Sequence, residues 1–185
     1  AARALVDHPR NVPDSILARL PKNGGVIMVT FVTSFVSKAV RADDEGRDAA
    51  VAESRKRHQA DSAGVHADST AWRAAHPRPR ATIADVANMI DHVRQIVGDD
   101  HVGIGSDFDG ISETVVGLED VSTFPALFAE LARRGWSQVD LMKLAGGNVL
   151  RVMREAERVS ARLTRERLPS TATIEQLDRH QLPPR

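Results

Sequence analysis

HVGIGSDFDG, at residues 101–110, is the stretch on which the fold of this chain turns. A short apolar run, broken by Gly103 and Gly105, ends in two carboxylates one residue apart, Asp107 and Asp109. A run such as VGIG at 102–105, apolar on successive residues, suits a strand buried on both faces of a parallel sheet. In folds built on such sheets, the side chains that do chemistry stand just past the C-terminal ends of the strands. Asp107 and Asp109 hold that position. His101 stands at the other end of the same strand, ~15–20 Å from Asp107 at about 3.3 Å per residue. It is therefore expected to serve the structure and not the site.

Upstream, GVIMVTF at 25–31 is a second continuous apolar run, rich in β-branched residues, and is expected to be a neighbouring strand. Between the two runs lies TIADVANMIDHVRQIV at 82–97. Ile83, Val86, Ile90, Val93 and Val97 recur there at helical spacing, and Gly98 closes the helix. Ahead of the first strand, Pro13 suits the first turn of a short helix with Asn11 as its N-cap. A long loop runs to about 122, and a helix over 124–134 carries Phe124, Leu127, Phe128 and Leu131 on one face. Trp136 and Leu141 bracket Ser137 as a hydrophobic staple around a helix N-cap. GGN at 146–148 breaks that helix, and a last one is expected over about 149–163.

Residues 38–81 differ from the rest. RADDEGRDAA, ESRKRHQADS and HPRPR are polar and charged, and the segment is expected to be an elaborated loop with a surface helix near 45–60. The tail, with Pro169, Pro183 and Pro184, is expected to be loosely ordered. The order helix, strand, insert, helix, strand, loop, helices indicates α/β with parallel strands. Two strands, however, do not complete a parallel sheet with covered faces.

The chain has 185 residues, enough for one domain with a sizeable core. Its 25 basic residues balance its 25 acidic ones, which removes the electrostatic case for nucleic acid or an anionic membrane surface. The absence of cysteine excludes disulfide scaffolds, thiolate zinc sites and cysteine nucleophiles. No run of about 18 apolar residues exists to span a membrane. The start, AARALVDHPR, has neither Met nor a charged-then-apolar signal pattern and reads like the middle of a longer sequence.

Asp107 invites several readings. Asp and Gly dominate turns, so a turn carboxylate capping the next amides is the plainest. The EF-hand pattern counted from Asp107 fails, because Leu118 falls where a bidentate Glu is needed. An apolar strand followed by DxDG also resembles phosphatases of the haloacid dehalogenase type, where the first Asp is the nucleophile and the second the acid. That motif belongs near a chain start and is followed by Thr or Val. Here it lies past the middle, Ile111 follows, and no later acid pair for magnesium is seen.

Five blocks in order, ARALVDHPRNVPDSIL, GGVIMVTFVTSFVS, HVGIGSDFDG, GLEDVSTFPALFAELARRGW and GGNVLRVM, together resemble the membrane (renal) dipeptidase family of zinc metallopeptidases over nearly the whole chain. The segment 38–81 is the loosest part of the match and resembles the longer insert of bacterial members. The resemblance implies a (β/α)8 TIM-type barrel with two zinc ions at its C-terminal face. There a metal-bound water attacks small dipeptides, with D-residues tolerated on the C-terminal side. GVIMVTF and VGIGSD would be the last two barrel strands. A barrel of this type needs eight strands and about 250 residues, so the chain is expected to be its C-terminal portion, incomplete as given. Residues 1–168 would be the half-barrel, with the insert at about 38–81, and 169–185 a tail.

The resemblance also assigns site residues. Arg10, in HPRN, matches the arginine that helps hold the dipeptide carboxylate, a task suited to a planar guanidinium fork. Asp107 matches the aspartate at the end of the last strand, placed to handle protons around the attacking water and the leaving amine. Asp109 is read as supporting or turn-forming, and Gly103, Gly105 and Gly110 as sites of close backbone approach. The family's zinc ligands are a His-x-Asp pair, a bridging Glu and two later His. All are expected upstream of Ala1, so no residue here is assigned as a metal ligand. His8 is read as a loop residue with a lesser claim to a polar role at the site, and His58, His66, His76 and His92 as solvated or capping residues. The function implied is zinc-dependent hydrolysis of dipeptides by the parent lineage, with this chain inactive alone. Neither nucleic acid nor membrane span is implied, a homodimer is the candidate assembly of the complete protein, and the compartment stays open between bacterial cytoplasm and periplasm. The alternative is a non-catalytic truncated half-barrel, with the phosphatase a lesser one.

Overall fold

The structure is a computed structural model that describes residues 1–59 and 61–178. The part of the expected tail at 179–185, with His180, Pro183 and Pro184, lies outside the described residues. The chain runs α1 (Asp14–Leu17), α2 (Leu20–Asn23), β1 (Ile27–Val29), α3 (Thr33–Val36), α4 (Lys38–His58), α5 (Ser62–Ala75) and α6 (Ile83–Val97). It continues with β2 (Val102–Ile104), α7 (Phe124–Arg133), α8 (Gln138–Met142), α9 (Asn148–Glu166) and α10 (Ile174–Asp178).

Both expected strands form, and they pair in parallel, Ile27 with Val102, Met28 with Gly103 and Val29 with Ile104. They are shorter than the apolar runs that announce them, but the ladder continues past them. Gly105 N donates to Val29 O and Phe31 N to Ser106 O, both at 2.9 Å. Among the described residues each strand has one neighbour. Val29 and Val102 are buried, whereas Ile27, Met28 and Ile104 are only half so, short of the two-sided burial their sequence leads one to expect. The glycines of β2 make room for Met28. A Cβ at Gly105 would stand 2.8 Å from Met28 Cβ, and one at Gly103 would stand 2.6 Å from Met28 Sδ.

At the start of the strands, His101 Nδ1 donates to Gly25 O at 2.7 Å, the structural role expected of it. Asn148 Nδ2 reaches the same end, donating to Asp99 O at 2.7 Å and Val102 O at 2.8 Å. GGN therefore does more than break a helix: its asparagine is a buried anchor for β2. The core gathers around these strands. Helix α6 buries Val86, Ala87, Met89, Ile90, Val93 and Val97, and α7 buries Leu127 and Leu131. Each of these side chains other than Ala87 contributes roughly 1.5–3 kcal/mol on burial. Ser137 caps α8 as expected, with Asp140 N donating to Ser137 Oγ at 3.2 Å and Trp136 buried beside it.

Three expectations need correction. The short helix after Pro13 forms, but Pro13 itself is its N-cap. Asn11 is buried instead, its Nδ2 donating to Val6 O and Phe35 O at 2.9 Å each, because a loop carbonyl and a carbonyl of α3 inside the fold claim the amide first. The segment 38–81 is mostly helical. Helices α4 and α5 run antiparallel, with Asp43 opposite Arg73 and Ser54 Oγ donating to Asp68 Oδ2 at 2.6 Å. Within the tail, α10 is regular. Ala1–Leu150 form one compact unit, and the chain from Arg151 onward forms a second. No helix among the described residues is long and apolar enough to cross a membrane.

Candidate active site at the C-terminal ends of the strands

Both strands deliver their following residues to one end of the sheet. β1 leads into Phe31 and then α3, and β2 leads into Ser106, Asp107 and the loop that carries Glu113. Phe31, Phe108 and Phe124 pack there as an apolar base, with ring centroids 5.9 Å apart for Phe31–Phe108 and for Phe31–Phe124.

Asp107 has left-handed backbone, φ +73° and ψ 29°. Side chains other than glycine are uncommon there, and Asp and Asn are the ones that tolerate it. The ladder ending at Ser106 fixes one side of the residue, and Gly110 N, donating to Asp107 O at 3.0 Å, fixes the other. The plainest sequence reading, a carboxylate that caps the turn, does not hold, because the Asp107 side chain caps no amide. It is half-buried, and no described residue hydrogen-bonds or ion-pairs with its carboxylate. A Cβ at Gly110 would meet Asp107 Oδ1 at 2.6 Å, so the glycine keeps space open beside that oxygen. Asp109 is exposed on the same turn.

Arg10 lies on the loop before α1 and is exposed, its guanidinium 5.1 Å from the centre of the Phe35 ring in α3. Its amide donates to His8 Nδ1 at 3.1 Å, and the His8 ring rests on Phe35 at 4.3 Å. Burial first, then the charges of Arg41 and Arg10, push the His8 pKa below its usual value. A neutral ring is what accepts an amide proton at Nδ1. His8 thus orders the Arg10 turn, and Asn11 clamps the same turn to Phe35 O. Arg10 pairs with no carboxylate among the described residues. No hydrogen bond or ion pair joins Arg10 to Asp107; Arg10 rests on α3 at Phe35, and the Asp107 loop meets α3 where Glu113 accepts from Thr33.

A network that sequence reasoning missed ties α3 to the Asp107 loop. Glu113 Oε2 accepts from Thr33 Oγ1 at 3.1 Å and from Arg78 Nε at 2.8 Å. Arg78 Nη1 also donates to Asp43 at 2.9 Å and Asp44 at 2.6 Å, and Arg73 grips Asp43 with two bonds of 2.9 Å. The Asp43 side chain is only 8% exposed. The Arg73 hydrogen bond holds its carboxyl below the usual range against the opposing effect of burial. The carboxylates of Asp44 and Glu113 raise the Arg78 pKa further. No local pattern marks these residues, because partners 30 or 35 positions apart leave no periodicity to read.

Three of the other histidines are engaged by neighbours inside the fold. His58 Nε2 lies 3.1 Å from Asp68, His92 Nε2 lies 3.1 Å from Asp14, and His76 stacks on Trp72. Among the described residues no group of three or more His, Asp or Glu side chains able to hold a metal ion is gathered. The residues present therefore do not fit the zinc site that the family resemblance implies.

A sequence model of the membrane dipeptidase family (Peptidase family M19) matches residues 1–167. The chain belongs to this family. Dipeptidase ataJ of Aspergillus terreus is 39% identical over 162 residues, covering 88% of this chain and 30% of that protein. The crystal structure of the probable dipeptidase PvdM from Pseudomonas aeruginosa superposes with a TM-score of 0.64 at 29% identity, covering 82% of this chain and 42% of that one. A metallopeptidase from Rhodobacter sphaeroides, liganded with a phosphinate mimic of the dipeptide L-Ala-D-Ala, superposes with a TM-score of 0.55 at 26% identity, covering 80% and 32%. The chain spans 25–31% of the length of the curated relatives it matches. Membership of the M19 family sets aside the phosphatase reading of the DxDG stretch, and relatives from fungi and mammals give no special standing to bacteria.

Proposed function

We propose that this chain supplies the substrate-carboxylate and proton-handling residues of a metal-dependent dipeptidase, with β1 and β2 as the last two strands of a (β/α)8 barrel. Arg10 binds the C-terminal carboxylate of the dipeptide through its guanidinium fork. Asp107 takes and returns protons as the leaving amine departs. The zinc ions that the parent family implies would be held by residues outside this chain. Residues 1–168 make up the barrel portion, and 169–185 follow it as a tail. The observation that carries this reading is the half-buried Asp107 carboxylate, partnerless among the described residues and held in left-handed backbone just past β2. The relative bound to a mimic of L-Ala-D-Ala supports a small dipeptide substrate with a D-residue tolerated at the second position.

A second reading has its own support. With no metal-holding group among the described residues, the chain by itself is an inactive half-barrel. Steady-state hydrolysis of L-Ala-D-Ala separates the two, run on the chain alone and on the product of the complete reading frame that contains it. The complete protein is expected to turn over and the chain alone is not. In the complete protein Asp107→Asn is expected to lower kcat by about 100-fold or more, the scale of lost acid–base help. A folded Asp107→Asn enzyme with near-full rate would sink the assignment.

A further inference from the structure

We propose that Glu113 and Arg78 are positioning residues for Asp107, and that the α4–α5 hairpin is the fixed wall against which they hold its loop. The proposal rests on the reading of Asp107 as the proton-handling group.

Glu113 lies six residues after Asp107, on the same loop. Between them the chain makes the Phe108–Gly110 turn and no regular element that would stiffen it. The ladder to β1 ends at Ser106, so beyond that point the loop needs another anchor. Glu113 provides one on two elements at once. Thr33, at the start of α3, binds it from the β1 side, and Arg78 binds it from the segment that follows the hairpin. Arg80 Nε adds a longer contact at 3.8 Å.

The far end of the anchor is rigid. Arg78 is gripped by Asp43 and Asp44 of α4, and Asp43 by Arg73 of α5 in a bidentate pair. With Arg80 counted, three guanidinium groups face three carboxylates, so no charge in the cluster is left uncompensated. A charge-balanced cluster with Asp43 almost wholly buried does not drift, since moving any member strands a partner in a poorly solvated place. The loop is thus fastened to both the sheet side and the insert. Asp107 needs such support, because its left-handed backbone is an unfavoured conformation that persists only where its surroundings impose it. The hairpin follows the C-terminal end of β1 and meets the loop after β2, which puts the wall at the strand ends that carry Asp107 and away from His101.

Two arms test this. The first uses the chain alone and reads amide hydrogen exchange at Gly110, whose N–H bonds Asp107 O, with Gly105, bonded to Val29 O, as the internal control. Glu113→Gln and the milder Thr33→Val, which deletes one donor only, are expected to speed exchange at Gly110 by about tenfold or more while Gly105 is unchanged, as for local opening of a single loop. Unchanged exchange at Gly110 in both folded variants overturns the proposal.

The second arm measures hydrolysis of L-Ala-D-Ala by the complete enzyme. Glu113→Gln and Arg78→Ala are expected to lower kcat by about tenfold with KM nearly constant, since a displaced proton-handling group costs rate and not substrate binding. Arg78→Lys should restore part of the loss, reaching one carboxylate but not three. Full kcat in Glu113→Gln beside a crippled Asp107→Asn overturns the positioning role and leaves the function standing. A fully active Asp107→Asn overturns the function, and the exchange arm then still reports on the anchor.

Discussion

Asp107 shows how much one residue can be asked to do. Left-handed backbone costs an ordinary side chain roughly 1–2 kcal/mol, and Asp107 accepts it with its carboxylate unpartnered among the described residues. Asp107→Gly is accordingly expected to raise the melting temperature slightly, by about 0.5–1 kcal/mol of stability, while abolishing turnover in the complete enzyme. Asp107→Ala should lose both stability and turnover. Thermal unfolding beside a dipeptidase assay distinguishes this from a carboxylate that merely caps a turn, whose loss would lower stability in both variants. Arg10 stands differently, exposed and stacked over Phe35. Arg10→Ala is expected to raise KM more than it lowers kcat, because carboxylate binding is felt in ground and transition states alike, and Arg10→Lys to recover only part of the affinity. Both residues can be singled out as candidates from the sequence because each sits in a short block that carries the family likeness. What holds them cannot. His8 Nδ1 under the Arg10 amide and Glu113 beyond Asp107 are set by distant partners, Phe35 and Arg78, that no local pattern announces.

At the scale of elements, the β1–β2 contact is tuned around Met28. Gly105→Ala places a methyl 2.8 Å from Met28 Cβ, an atom that cannot move without the backbone, while Gly103→Ala meets the flexible end of the same side chain. Gly105→Ala is expected to cost about 1–3 kcal/mol, the usual range of overpacking, and Gly103→Ala less, as read from denaturant midpoints. The insert is held by charge. Helix α4 buries only Val40 and Ser54, so its apolar stripe is too faint to show its full length, and the sequence reads as a loop with a surface helix only near 45–60. Its stability should follow the titration of Asp43. The folded carboxyl titrates below the ordinary value because Arg73 favours the ionised form. Stabilisation is therefore present above the unfolded pKa of about 3.9 and is lost as pH falls through the lower folded one. Acid unfolding followed by circular dichroism should steepen below about pH 4. Asp43→Asn should be less stable at pH 7 and show a flatter acid limb.

For the molecule as a whole, alternation of helical and strand patterns made an α/β fold with parallel strands legible, and the strands, α6, α7 and the α8 cap stand where those patterns placed them. The reach of each strand was overestimated, because apolar runs record what a strand would bury in a full sheet and not what this one buries. The chain alone is expected to hold no stoichiometric zinc tighter than micromolar, since a fixed set of about four donors is required and none is gathered among the described residues. Calorimetry that found such a site would overturn this. The pairing of β1 with β2 has one further consequence. The outer side of β2 is closed at Val102 O by the Asn148 amide, whereas β1 has no second strand beside it among the described residues, and an unpaired strand edge acts as a template for any extended chain within reach. Concentrating the chain is therefore expected to join copies along β1 and not along β2, a rise in mass that sedimentation reads.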